Sequence, residues 1–473
     1  MQIIEHIYVD GSFVVPHGSE MFDLFNPATE QVIGRVRLAD EHDANRAVAA
    51  AKRALVSFSR TSKSERLDML QRILKAIQAK EDELTEASML EFGAPAMSAR
   101  FHAKGAATMF EQALKVLREY DFKRRVGSSE VVMQPVGVAA LITPWNANAI
   151  FIAGKLSVAL AAGCTAVLKP SEMSATQTRV MTEALHDAGL PAGVVNIVTG
   201  RGDVVGETLS AHPDVAKISF TGSTAVGKRI LRTGAETLKR TTLELGGKSP
   251  FIILDDADLA TAAPVAVQAG FTNGGQACNA GSRILIDERR LAEFEKRVIE
   301  AVGQFKPGEP RAADTRIGPM VSEKQWQRVQ RYIRLGLEEG ARLLTGGEGR
   351  PAGMSSGWFV KPTVFSDVRN DMTIAREEIF GPVLSIIPYR DVEDAIAIAN
   401  DTPYGLQAYV MSAQDKRAQD VAARIDAGRV LINGLHYDFD VPFGGFKQSG
   451  LGRELGVAGL EAYLEPKAVL GVG

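Results

Sequence analysis

Cysteine is nearly absent: Cys164 and Cys278 are the only two in 473 residues. Two thiols cannot build a disulfide scaffold or a cysteine-rich zinc site, and they fit a reducing compartment. Charge of one sign is missing too. Lys and Arg total 54 against 57 Asp and Glu, a net charge of −3. That balance excludes the basic face that nucleic acid or an anionic membrane surface would demand. The seven histidines show no HExxH spacing, so no metal is expected. Residues Met1 to His6 lack the basic and apolar regions of a secretory signal, which makes a cytoplasmic protein the expectation. No long run of apolar residues is clean. The best, Ala147 to Leu168, is broken by Asn148, Gly154, Lys155 and Gly163. It reads as a buried helix followed by a strand.

What is present is a globular pattern. The hydrophobic fraction of 45% suffices for a large core, and the length suggests two or three domains. Ile7 to Phe13 reads as a strand, with a turn at Asn26-Pro27. Asp40 to Tyr120 is helical in period, as at Leu67, Leu70, Ile73, Leu74 and Ile77. Glu130 to Ile142 reads as β. Strands at 166–168, 194–198 and 217–220 then alternate with helices at 175–188 and 203–211. Such alternation yields parallel strands joined by helices. A second α/β region runs from Ser249 to about Gly434. No repeat of fixed period and no low-complexity linker is visible.

Two glycine-rich loops follow strands. Gly200 to Gly206 misses the dinucleotide fingerprint by one residue and could be turn chemistry alone. Gly222-Ser223-Thr224-Ala225-Val226-Gly227-Lys228 matches GxxxxGK, but Arg229 stands where a P-loop needs a hydroxyl for magnesium. It reads as a cofactor-phosphate loop at a helix N-terminus; helix-on-sheet packing is the plainer alternative.

The two cysteines differ in setting. Cys164 lies among Ala161, Ala162 and Gly163, as a small buried hydrophobe would. Cys278 lies in the polar, glycine-rich run Asn273 to Arg283. A lone cysteine is more often structural than catalytic, and only its company can reverse that reading.

The company is extensive. Pro144-Trp145-Asn146, Leu168-Lys169-Pro170-Ser171-Glu172 and Phe220-Thr221-Gly222-Ser223 come first. Leu243-Glu244-Leu245-Gly246-Gly247-Lys248-Ser249 and Gly275-Gln276-Ala277-Cys278 follow. Glu377-Glu378-Ile379-Phe380-Gly381-Pro382 and Pro442 to Gly450 close the series. In this order and spacing the chain resembles the aldehyde dehydrogenase superfamily over essentially its whole length. The resemblance implies an NAD-dependent oxidation of an aldehyde to an acid without CoA. Cys278 would be the nucleophile, forming a thiohemiacetal and then a thioester. Asn146 and the Cys278 backbone N–H would stabilise the oxyanion. Glu244 would activate the hydrolytic water. Glu454 matches a proposed proton relay, or else makes an ordinary ion pair.

The cofactor roles implied are similarly specific. Lys169 and Glu172 would meet the adenosine ribose, beside Ser171. Ser223 would touch the pyrophosphate, within a cradle of Gly202, Gly206, Phe220, Gly222 and Gly246. Glu378 would hold the nicotinamide ribose, with Trp145 and Phe380 nearby. A carboxylate at Glu172 accepts from a ribose 2′-hydroxyl and repels a 2′-phosphate, so NAD is expected over NADP.

The implied fold is α/β: a doubly wound cofactor domain (1–122 and 135–246), a catalytic α/β domain (247–445) and a bridging β element (123–134 and 460–473). The β element, centred on Lys123 to Gln134 and Tyr463 to Val472, leaves an edge that needs pairing, so a homodimer or homotetramer is expected. Ala147 and Gly154 replace aromatics common in relatives, and suggest a roomy tunnel for a bulky or aromatic aldehyde unless other side chains refill it. The loop Asn433 to Val441 is also unusual, although His436 alone is more often a hydrogen-bonded surface histidine. A P-loop phosphotransferase and a catalytically silent binding protein are the alternatives from other classes; Arg229 opposes the first, and Cys278, Glu244 and Asn146 together oppose the second.

Overall fold

A computed structural model describes residues 2–471. Met1, Val472 and Gly473, which the expected N-terminal and C-terminal segments include, lie outside the described residues.

Four helices, Glu41–Phe58, Lys63–Ala79, Glu81–Glu91 and Ala96–Glu119, fill the helical stretch. Local chemistry sets their limits. Asp40 with Asp43, and Ser62 with Glu65, form reciprocal capping boxes. Each cap is worth about 1 kcal/mol. Pro95 opens the fourth helix, where its missing N–H costs nothing.

An eight-stranded sheet lies against these helices. Its order is Gly450–Leu451, Arg240–Glu244, Val215–Thr221, Val138–Ile142, Thr165–Lys169, Val195–Ile197, Ile7–Val9 and Ser12–Val14. The five from Arg240–Glu244 to Val195–Ile197 are parallel. The strand region expected over Ile7 to Phe13 is a hairpin of two short strands. Asp10 and Gly11 both take positive φ, 56° and 79°, the two-residue turn that an Asp-Gly pair favours. The helix expected from Asp203 is also corrected. Gly202–Gly206 forms a wide π turn, and only Glu207–Ala211 is α-helical. Likewise the β stretch before Ile142 divides at Gly137, φ 131°, into Ser129–Pro135 and Val138–Ile142.

The apolar stretch is the helix Asn148–Ala162 followed by the strand Thr165–Lys169. Ile152, Leu156, Ala159 and Leu160 are fully buried against sheet and helices. Among the described residues no helix is long and apolar enough to cross a membrane.

A seven-stranded sheet follows, in the order Arg342–Thr345, Thr363–Ser366, Val383–Tyr389, Arg283–Asp287, Pro250–Ile253, Gln407–Met411 and Arg429–Ile432. All its pairs are parallel except the first. A third, antiparallel sheet joins Leu464–Val469 to Ser129–Pro135 to Lys123–Val126. Distant parts of the chain thus share one small sheet, with Lys123–Val126 at its edge and exposed throughout.

Candidate active site

The eight-stranded sheet has a topological switch. From Val138–Ile142 the chain works outward to Val195–Ile197, then returns to the other flank with Val215–Thr221 and Arg240–Glu244. The loops leaving the central pair diverge, and ligands of open parallel sheets bind in the crevice so formed. Thr143 to Asn146 leaves one side of it, and Gly222 and Ser223 leave the other.

The outer half of this rim suits a dinucleotide. Lys169 ends its strand, and its Nζ sits 3.2 Å from a Glu172 oxygen. Ser171 Oγ accepts the Met173 N–H and caps the short turn that carries Glu172. Arg201, which no sequence motif marks, approaches Glu172 at 3.9 Å while bonded to Glu20 at 2.6 Å. A Cβ at Gly202 or Gly206 would meet nothing, so the turn between them opens on free space. Phe220 is buried beneath Gly222, where a Cβ would lie 2.4 Å from its ring. Ser223 caps the helix Thr224–Ala235. Lys228 donates to Gln448 at 2.9 Å and Arg229 pairs with Glu207, so neither serves a P-loop.

The inner half is walled by Glu378 and Phe380. A Cβ at Gly246 would lie 2.5 Å from a Glu378 oxygen, and the Gly247 N–H donates to the other at 3.1 Å. Burial pushes the Glu378 carboxyl up to about 7, against the Gly247 N–H and the charges of Arg328 and Lys248. Arg328 donates to the Glu378 carbonyl at 2.6 Å and Gln325 to the Phe380 carbonyl at 2.7 Å. These two side chains hold the segment from outside, and no motif marks them. Trp145 meets Phe380 edge-on at 5.5 Å and Phe92 at 5.7 Å. An open turn beside a Lys–Glu pair, a capped helix N-terminus and an inner carboxylate fit the two riboses and pyrophosphate of NAD.

Cys278 faces this rim from the other sheet, on the loop that enters Arg283–Asp287. Asn273, Gly274 and Gly275 all take positive φ. A Cβ at Gly275 would sit 2.1 Å from the Gly381 carbonyl, so that approach requires glycine. Non-glycine positive φ recurs at Ala147, Asn273 and Phe380, all at the site, and each costs about 1–3 kcal/mol. Asn146 Nδ2 donates to the Gln276 carbonyl at 3.0 Å, and Asn273 Nδ2 shares that acceptor at 3.2 Å. The buried side chain of Gln276, to which the sequence motif assigns no role, ties the loop to Pro319 and Val321. Cys278 is half-buried. Desolvation pushes its thiol up to about 12; Glu378 and Glu244 add to the shift, while the Cys278 and Asn279 backbone N–H groups oppose it.

Glu244 is only 1% exposed at the end of its strand. Among the described residues neither of its oxygens has a hydrogen-bond partner. Burial, then Glu454, holds its carboxyl well above the usual range, against Lys155 and Arg453. A partnerless buried carboxyl is costly, and such costs concentrate where chemistry is done. Glu454 pairs with fully buried Lys155 and accepts from Ser219 at 3.1 Å. Lys155 also donates to Ser219 at 3.0 Å. A lone lysine in an apolar helix was the available signal for this cluster.

The sequence profile of the aldehyde dehydrogenase family matches residues 13–469. The chain belongs to the aldehyde dehydrogenase family. It is 46% identical to a 3-succinoylsemialdehyde-pyridine dehydrogenase of a Pseudomonas species, over all of this chain and 99% of that one. It is 43% identical to a putative aldehyde dehydrogenase of Staphylococcus aureus, over 98% of each chain. A cysteine-to-alanine variant of a Pseudomonas syringae aldehyde dehydrogenase, crystallised with NAD+ and octanal, superposes with a TM-score of 0.98 at 44% identity, covering 99% of this chain and 97% of that one. A Mycobacterium tuberculosis aldehyde dehydrogenase with NAD+ gives 0.96 at 40% identity, covering 99% and 98%.

Within this aldehyde dehydrogenase, the helices Ala96–Glu119 and Asn148–Ala162 pack against each other. Met109 takes part of the room left by Gly154: a Cβ there would lie 3.4 Å from its sulfur. Ile150 takes the room beside Gly105, where a Cβ would lie 2.6 Å from its side chain. Farther out, Phe101 and Tyr437 pack at 5.4 Å while 44% and 59% exposed. His436 is exposed, with its ring 3.1 Å from the Ile432 carbonyl.

Proposed function

We propose that this enzyme oxidises an aldehyde to the carboxylic acid with NAD, using Cys278 as nucleophile, and that its substrate is bulky or aromatic. One observation carries the chemistry: a buried, partnerless carboxyl at Glu244 lies within electrostatic reach of a thiol whose loop is tied to the Asn146 amide. At neutral pH the thiol holds its proton. Glu244 takes that proton as the sulfur attacks the carbonyl carbon, giving a thiohemiacetal. The Asn146 amide and the Cys278 N–H donate to the oxyanion, each lowering the barrier by about 3 kcal/mol. Glu378, Lys169 and Glu172 would hold NAD, which would supply the hydride acceptor. A thioester remains on Cys278, and Glu244 removes a proton from the water that hydrolyses it. Glu454, beside Lys155 and Ser219, passes the proton outward.

The substrate class rests on Ala147, on the Phe101–Tyr437 pair, and on the pyridine ring in the name of the Pseudomonas relative. Met109 limits the width at Gly154. A panel of aliphatic and aromatic aldehydes, scored by NADH formation, tests it: kcat/KM for benzaldehyde-like substrates should exceed that for acetaldehyde at least ~10-fold. Equal values would remove the aromatic reading. NAD preference rests on Glu172; preferred use of NADP would contradict it.

The same reading divides the chain into an NAD-binding domain (1–122 and 135–246), a catalytic domain (247–445) and an oligomerisation element (123–134 and 460–473). The exposed edge Lys123–Val126 would extend across a homodimer or homotetramer. Two free thiols suit a cytoplasmic enzyme.

A further inference from the structure

The strand Gln407–Met411 does more than complete a sheet. Tyr409 on it is 4% exposed, and its hydroxyl donates to the Asn279 carbonyl, the residue after Cys278, at 2.9 Å. Gln407 Nε2 donates to the same hydroxyl at 2.5 Å. That bond uses a lone pair of the oxygen, and the hydroxyl proton is directed at Asn279. The ring stacks on Phe251 at 5.3 Å and 22°. Gly281 rests against the ring as well, where a Cβ would lie 3.1 Å from it. The rest of the turn is held by backbone: Ala280 N–H donates to Ala277 and Gly281 N–H to Ala269, both at 3.2 Å. The Cys278 carbonyl packs on Gly247, 2.5 Å from where a Cβ would lie.

We propose that Tyr409 is a positioning residue for the nucleophile: its hydroxyl, by holding the Asn279 carbonyl, fixes the turn that presents the Cys278 sulfur. This rests on the reading of Cys278 as nucleophile. Tyr409 acts through the Asn279 carbonyl and not on the reacting atoms themselves. Without its hydroxyl the Asn279 carbonyl loses a buried donor, and the turn is free to rotate the sulfur away from its backbone N–H groups. A misplacement of about 1 Å is enough to cost ~100-fold in rate.

The test is alkylation of Cys278 by iodoacetamide in the full-length enzyme, followed by peptide mass across pH. Cys164 is fully buried and serves as internal control. In Tyr409→Phe, alkylation should slow on the order of 10-fold, its pH midpoint should rise, and kcat should fall by a similar factor at unchanged KM for NAD. Gln407→Leu should move the midpoint the same way by less. Phe251→Leu removes the stacking but not the hydrogen bond; it should lower Tm and leave the midpoint in place. A wild-type alkylation profile in Tyr409→Phe overturns the proposal, as does an equal shift in Phe251→Leu. Wild-type enzyme that stays active after complete alkylation at Cys278 overturns the nucleophile reading itself, whatever Tyr409→Phe shows.

Discussion

Cys164 and Cys278 carry the same atom in two environments, and the direction of the pKa shift does not tell them apart. Desolvation pushes the Cys164 thiol up to about 11 and the Cys278 thiol up to about 12. What differs is the company. Cys164 precedes a core strand, Thr165–Lys169, and donates to the Tyr463 carbonyl at 3.4 Å. Its charged neighbours, Lys217 and Arg66, are cations. Cys278 stands half-open on a strained glycine loop, with a partnerless carboxyl and a side-chain amide beside it. A reactive cysteine here is defined by access and by a base, not by a lowered resting pKa.

The comparison breaks most sharply at the sulfur. Cys278→Ala should lower turnover at least ~10⁴-fold, measured as NADH formation with enzyme in excess; Cys164→Ala should leave it within about twofold. Next is the base. Glu244→Gln should cost ~10²–10⁴-fold in kcat. Burial raises the Glu244 carboxyl, so wild-type turnover should climb with pH through a midpoint above the ordinary carboxylate range, and a stopped-flow pH profile should lose that rise in the variant. The oxyanion donor comes third: Asn146→Ala should lower kcat ~10²-fold with little change in KM for NAD. The smallest effect is structural. Cys164→Ala should cost about 1–2 kcal/mol in urea unfolding, through lost packing alone.

Local features were legible in the sequence. The helical period after Asp40, the break at Gly163 after the apolar helix and the strand–helix alternation all act within a few residues of themselves. The site motifs are short local strings too, and four residues named from them, Asn146, Cys278, Glu244 and Glu378, come near one another in space. The Asp10-Gly11 hairpin is also written locally, in a dipeptide that favours that turn. Other features could not be read. Met109 filling the room beside Gly154, Arg201 reaching Glu172, and Tyr409 holding Asn279 join residues far apart in sequence. Their partners are chosen by how helices and sheets pack, which period and propensity do not encode. Strain at Ala147 and Phe380 was hidden for a related reason: neither residue type favours positive φ, and only the surrounding fold imposes it.

The most direct test of this account is the mass of the peptides that carry the two cysteines, after Glu244→Gln enzyme is mixed with aldehyde and NAD and then quenched. Because Glu244 also takes the thiol proton, the acyl group should form slowly in this variant, but with hydrolysis slowed it should then stay on Cys278 and be absent from Cys164. An acyl adduct on Cys164, or acid production with no adduct in a variant lacking the Cys278 thiol, would contradict it.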